Sequence, residues 1–276
     1  MQQTNWINIL KKCKKQIQKQ IEPSLKDVDR HKTSLGIGAG GDSIEQIDLE
    51  AEDAIIKTLK EQEISFTLIS EESGVKEYGR TPHKLFVTAD PIDGTTNFIR
   101  SIPFYATSIA ISTKPTLNTI HTALVADLFH NVTYIAKKGK GAYRNNQKIT
   151  PSKNTSLEEA VIGIDLNTYK VQEISPQLTN LIQKTKHIRH FGANALELCY
   201  VADGTTDAFI DIRGKLRTTD MAAAWLIIQE AGAKITTLEE KPQNIKLDPK
   251  QTVAFVAAAN QKIHKTILES LKRHLQ

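Results

Sequence analysis

Residues 88–99 read TADPIDGTTNFI: a hydrophobic run delivers Asp90, a proline follows, and Asp93 stands three positions on, ahead of Gly94. Two carboxylates converging on one turn repel each other, so they need a cation, a shared proton or helix-end donors beside them. Oxygen donors alone select a hard ion, Mg²⁺ first. Gly94 lets backbone approach a ligand closely, while Thr95, Thr96 and Asn97 open a helix whose first N–H groups make an anion cradle. The segment therefore predicts a strand, a turn at Pro91 and a helix start. A plain Asp-Gly turn capping a helix is the alternative, and it explains neither the second acid nor the strand.

Further acids stand where they can join the pair. The run FTLIS (66–70) leads into SEES (70–73), which places Glu71 and Glu72 at a strand exit. Asp220 begins TDMAAAWLIIQEAGA (219–233), an alanine-filled buried helix stopped at Gly232, where it is either an N-cap or a fourth acid of the site. Together they suit a two-metal site that activates water and stabilises a leaving oxygen.

Around these motifs the chain divides at about residue 150. Strand-like runs at 66–70, 85–90, 105–111, 120–126 and 132–136, with an Asn145-Asn146 hairpin turn, make residues 1–150 rich in β structure. From 151 to 276 helices alternate with strands near 160–164, 208–212, 234–237 and 253–257. An amphipathic first helix gathers Trp6, Ile9, Leu10, Cys13, Ile17 and Ile21 on one face and is predicted to stop at Pro23. GIGAGG (36–41) formally matches a dinucleotide fingerprint, but the polar segment before it lacks the required strand, so it reads as a mobile loop leading into a helix over 44–61.

Composition narrows the function classes. With 39% hydrophobic residues in 276, the chain can bury a sizeable core, and it has no apolar run long enough to span a membrane. Two isolated cysteines, Cys13 and Cys199, form no disulfide framework and fit a cytoplasmic setting. The net charge of +5 is accounted for before Asp42, where eight Lys/Arg face three Asp/Glu, so no basic stripe for nucleic acid runs across the fold. A basic face on a core-packing helix explains it, with lipid or RNA binding as the alternative.

EES (71–73), DPIDGTTNF (90–98) and the D-x-A-A and EAG helix (220–232) together resemble, in order and spacing, the signatures of the inositol monophosphatase family of Mg²⁺-dependent, lithium-sensitive phosphatases. The resemblance spans nearly the whole chain. It implies an α/β fold, a layered αβαβα sandwich of two subdomains, and a homodimer. It also implies that Glu71, Asp90, the carbonyl of Ile92, Asp93 and Asp220 hold two to three Mg²⁺ ions, with Mn²⁺ as a substitute, and that Thr95 and Glu71 orient the attacking water. Asp42 would join a further, weaker metal site and Asp48 would support the network. The implied reaction is in-line attack of activated water on a phosphate monoester, without a phosphoenzyme.

The segment 187–220 resembles the family's substrate side, with Gly192 and Ala193 in its backbone contact region and Asp211 in the place of an acidic hydroxyl-binding residue, although two extra residues separate it from Asp220. DIRGKLRTTD and RHFGA are closer to the archaeal-type members that hydrolyse both fructose 1,6-bisphosphate and inositol phosphate, which implies a gluconeogenic role. Arg189, Arg213, Lys215 and Arg217 are then candidates for a second phosphate, or else ion-pair partners. His187 and His190 read as packing or rim residues. Phosphatases of 3′-phosphoadenosine 5′-phosphate, NADP or histidinol phosphate are rivals within the fold, and a non-catalytic phosphate-ligand or RNA binder is the rival outside it.

Overall fold

The structure, a computed structural model, describes residues 4–26, 34–37, 39, 43–167, 171–240 and 245–272. Helix α1 (Trp6–Lys26) precedes an antiparallel pair, β1 (Ser34–Ile37) and β2 (Ser43–Glu45), and then α2 (Gln46–Glu61). β3 (Phe66–Ser70), β4 (Gly74–Tyr78), β5 (Phe86–Asp93) and the short α3 (Thr95–Ile99) follow. A meander of β6 (Ala106–Ser112), β7 (Ile120–Asp127), β8 (Val132–Lys137), β9 (Ala142–Arg144) and β10 (Gln147–Lys148) ends the first half. The second half runs β11 (Val161–Ile164), α4 (Val171–Lys184), β12 (His187–Arg189), α5 (Asn194–Asp203), β13 (Ala208–Arg217), α6 (Thr218–Ala231), β14 (Lys234–Thr236), β15 (Thr252–Ala258) and α7 (Gln261–Lys272).

Among the described residues, β3 to β10 form an eight-stranded sheet in the order 10-9-8-7-6-5-3-4, and β11 to β15 a five-stranded sheet in the order 12-11-13-15-14. Period-two alternation sorts each strand between two cores. Ile109, Ile111, Leu124 and Ala126 face α1 and α2, whereas Ala110, Ala123 and Val125 face α5 and α6. In the smaller sheet Phe209, Phe255 and Ala257 join that same middle layer, while Ala208, Ile210 and Val256 turn to α4 and α7. The stack is thus helix, sheet, helix, sheet, helix, as the αβαβα expectation has it. The middle pair is apolar all round because both of its sides are covered, and in α6 Met221 to Ile228 are all buried.

Local signals hold with two corrections. Asn145 and Asn146 both take positive φ (47° and 68°), as a tight hairpin turn requires, and Gly232 stops α6 in the left-handed region. Pro23 does not end α1, which continues to Lys26: a proline forfeits one helical hydrogen bond, and burial of Ile21 and Ser24 carries the helix past it. Nor does Pro91 turn the chain; β5 runs through it to Asp93. The apolar face of α1 lies in the core with α2, while Lys11, Lys12 and Lys14 donate to Asn146, Gln62 and Asn131 of the chain itself. No described helix is long and apolar enough to cross a membrane.

Candidate active site

Parallel pairing of β3 and β5, in register Ser70 to Ala89, sets Glu71 beside Asp90 at the carboxyl ends of neighbouring strands. Pro91 then acquires a purpose. On β5 the step from Asp90 to Asp93 is three residues, but their partners Ser108 and Ala106 on β6 are two apart. One extra residue is bulged out, where a residue without an N–H loses nothing. In a regular strand positions three apart point to opposite faces. The bulge returns Asp93 to the face of Asp90, toward the middle helices, and leaves Ala89 and Ile92 in the opposite core.

Two helix N-termini meet this face. Asp93 accepts N–H bonds from Asn194 (2.9 Å) and Ala195 (2.7 Å) in the first turn of α5. Asp220, in the first turn of α6, accepts from the Thr219 hydroxyl (2.8 Å) and the Arg217 N–H (3.4 Å). Carboxylates favour such ends because the unpaired N–H groups and helix dipole are positive there. One oxygen each of Glu71, Asp90 and Asp220 lies within 4.8 Å of the other two. Asp90 Oδ1 is buried and has no hydrogen-bond partner among the described residues. Arg217 donates from Nη2 to Glu71 Oε1 (2.5 Å) and from Nε to both Asp220 oxygens (3.3 Å).

Burial dominates the electrostatics of these acids, and their mutual repulsion adds to it. It holds the carboxyls of Glu71 and Asp90 well above the usual range, Asp220 repelling the first and Glu71 the second, with Arg217 opposing in both cases. Burial, then repulsion by Asp220, pushes Asp93 up to about 7 despite its helix N–H bonds. Asp48 is likewise pushed up to about 7 by burial. Its carboxylate accepts the Glu45 N–H at the start of α2 and the Thr95 hydroxyl (3.1 Å), so it supports Thr95 from beneath. The Thr95 hydroxyl also reaches the Ile92 carbonyl (2.9 Å).

A cavity of about 870 Å³ opens over this cluster, lined by Glu71, Asp90, Ile92, Asp93, Asp220 and the segment Gly94 to Asn97. Its far wall is Phe191, Gly192 and Asn194, with His190 and Asn167 at its edge. The turn after β5 and this wall are tied by Asn97, whose amide donates to the carbonyls of Phe104 and Phe191 (2.7 Å each). Asp42 lies outside the described residues, as does much of the glycine-rich segment.

The substrate-side expectations fare differently. Gly192 lines the cavity, but its N–H is bound to Glu197 Oε1 (3.0 Å), and Ala193 is buried behind the wall. Asp211 is fully buried, and Arg213 takes the ion-pair alternative: its guanidinium bridges Asp211 and Asp165 with the side chain 6% exposed. Its charge is already neutralised by two carboxylates. Neither Arg213, Arg189 nor Lys215 lines the cavity, and Arg217 lies on the acids. Asp165 and Glu197 were missed from sequence. Asp165 follows the apolar run 160–164 as Asp90 follows its own, so the same strand-exit signal was there to be read. Glu197, buried and lifted to about 8, sits in the first turn of α5, where an acid reads from sequence as an ordinary helix-start residue.

The sequence model of the inositol monophosphatase family matches residues 3–276. A fructose-1,6-bisphosphatase/inositol-1-monophosphatase of Methanothermobacter thermautotrophicus is 33% identical over 97% of this chain and 96% of its own length. A bifunctional NADP phosphatase/NAD kinase of Methanococcus maripaludis is 33% identical over 91% of this chain, which spans 47% of that longer protein. Among solved structures, an inositol monophosphatase-fructose 1,6-bisphosphatase superposes with a TM-score of 0.85 at 33% identity, covering 97% of this chain and all (100%) of its own.

Proposed function

Because the chain belongs to the inositol monophosphatase family, we propose that it is a Mg²⁺-dependent phosphomonoesterase acting on fructose 1,6-bisphosphate and inositol 1-phosphate. The observation that carries this reading is the convergence of Glu71, Asp90 and Asp220 beneath the cavity. The donor set fits a hard divalent ion: every ligand atom is oxygen, and Asp90 Oδ1 is buried with no hydrogen-bond partner among the described residues. Glu71, Asp90, Asp93, Asp220 and the Ile92 carbonyl would hold the ions. When bound, they supply Lewis acidity and offset charge on the phosphoryl and leaving oxygens.

The protein groups then have distinct parts. Thr95 donates its proton to Asp48 or the Ile92 carbonyl, which turns a hydroxyl lone pair toward a water over the cluster. Glu71, on the other side, accepts a proton from that water. The backbone N–H groups of Gly94 to Asn97 face the phosphate oxygens and position the ester for in-line attack, so the rate rests on orientation and fixed charge. Two subdomains, 1–150 and 151–276, enclose the ester between them. A cytoplasmic homodimer completes the proposal, and light scattering tests the dimer.

The second phosphate of the bisphosphate would lie toward the edge of the cavity. Arg189 adjoins His190, which lines the cavity. If Arg189 reaches past His190 to that phosphate, Arg189→Ala should raise KM for fructose 1,6-bisphosphate about tenfold and leave inositol 1-phosphate unaffected. A second reading, NADP phosphatase, is favoured by the relative that carries that activity in its name. Phosphate release with Mg²⁺, with and without chelator, tests both on fructose 1,6-bisphosphate, inositol 1-phosphate, 3′-phosphoadenosine 5′-phosphate and NADP. Chelator-sensitive turnover of the first two supports the proposal. Preference for NADP replaces the substrate but keeps the site, and release from none of them removes the enzymatic reading.

A further inference from the structure

Arg217 belongs to two elements at once. It is the last residue of β13, paired with Thr252 of β15, and it is also the N-cap of α6. Its backbone is held at both sides, so its side chain emerges beside Asp220 at the floor of the cavity. There the guanidinium bridges Glu71 and Asp220, two of the three carboxylates that converge, while the third, Asp90, keeps a buried oxygen without a partner. The bridging side chains are each 14% exposed or less.

A guanidinium has a rigid fork of donors and keeps its charge at any working pH. Glu71 Oε1 and both Asp220 oxygens face that fork, so a divalent cation drawn to the same acids would sit against the guanidinium in a water-poor site. Resting on the reading of Glu71, Asp90 and Asp220 as metal ligands, we infer that Arg217 is a tethered counter-ion of the acid cluster, which a divalent cation must displace in order to bind. It neutralises the cluster in the metal-free protein and sets the metal affinity. The measured affinity is then the intrinsic one reduced by the fraction of molecules whose guanidinium has left the acids.

The test is a Mn²⁺ titration of the full chain, with free Mn²⁺ followed by its electron paramagnetic resonance signal, for the wild type, Arg217→Met and Arg217→Lys. Arg217→Met should bind Mn²⁺ about tenfold more tightly than wild type. Arg217→Lys, a point charge that cannot bridge both carboxylates, should fall between them. In chelator at neutral pH, Arg217→Met should melt below wild type, and saturating Mn²⁺ should close that gap. Equal or weaker Mn²⁺ binding by Arg217→Met overturns the inference and leaves the metal site standing. Absence of Mn²⁺ binding in wild type and variants alike overturns the ligand reading and the inference with it. If Arg217→Met does not fold, Arg217→Lys decides alone: tighter binding supports the counter-ion role and unchanged or weaker binding refutes it.

Discussion

Asp90 and Asp93 leave one strand toward one face, yet their surroundings divide the labour between them. Asp93 receives two N–H groups from α5, whereas Asp90 Oδ1 receives none and its carboxyl is held well above the usual range by burial and by Glu71. A group arranged this way is there for something other than stability. Asp90→Asn should therefore stabilise the metal-free protein at pH 8 by about 1–2 kcal/mol, since it removes a poorly solvated charge. Mg²⁺-dependent turnover should fall by about 100-fold or more, because a ligand charge is lost at the reacting phosphate. Urea unfolding in chelator and a phosphate-release assay read the two effects. Unchanged stability together with full turnover would remove Asp90 from the site.

At the scale of elements, the decisive joint is where the turn after β5 meets the N-terminus of α5. Gly94 has φ 91°, and a Cβ there would stand 3.0 Å from Ala193 Cβ and 3.2 Å from the carbonyl oxygens of Gly192 and Phe104. Gly94→Ala meets both backbone strain and a wall it cannot push aside, so it should cost about 2–3 kcal/mol and reduce turnover by moving Thr95 and Gly192 apart. Gly139→Ala separates the two causes. Gly139 also has positive φ (72°) but nothing lies within 4 Å of an added Cβ, so that variant should cost only about 1 kcal/mol. Equal losses in the two variants, measured by denaturant unfolding, would show that the approach of α5 to the turn does not matter. The strand, the glycine and the helix start were legible in residues 88–99. The bulge at Pro91 was not, because it exists only relative to the register of β6.

Over the whole molecule, buried acids make stability depend on pH in an unusual direction. Asp48 and Asp93 are lifted to about 7 and Glu197 to about 8, from ordinary values of 3.8 and 4.5, so the folded chain holds protons more tightly than the unfolded one. Their contribution is full below about pH 4 and is lost as pH rises through 7 to 8. In chelator, the urea midpoint should fall between pH 5 and pH 8. Saturating Mg²⁺ should reduce that fall, because an ion bound only to the folded state adds about 2.7 kcal/mol at a hundredfold excess over its Kd. Glu197 is bonded to Phe191 and Gly192 and is lifted chiefly by burial, with smaller repulsion from Asp165 and Asp93, so most of its share should survive Mg²⁺ and vanish in Glu197→Gln. A midpoint that rises from pH 5 to pH 8 in chelator would contradict the burial of these acids.

Features that depend on neighbours along the chain are readable from residue order. Strand and helix periods sort side chains between core layers. Asp90, Asp93 and Gly94 stand together within residues 88–99, a strand exit marks Glu71 and a helix start marks Asp220, and the family resemblance supplies their roles. The allegiance of long charged side chains is settled by packing in three dimensions. Arg213 and Arg217 were both open to phosphate in the sequence, and packing delivered each to two carboxylates from distant or neighbouring segments. A guanidinium on a flexible stem can reach many partners. Which one it takes is set by where the buried, unneutralised acids lie in space, and no local pattern encodes that.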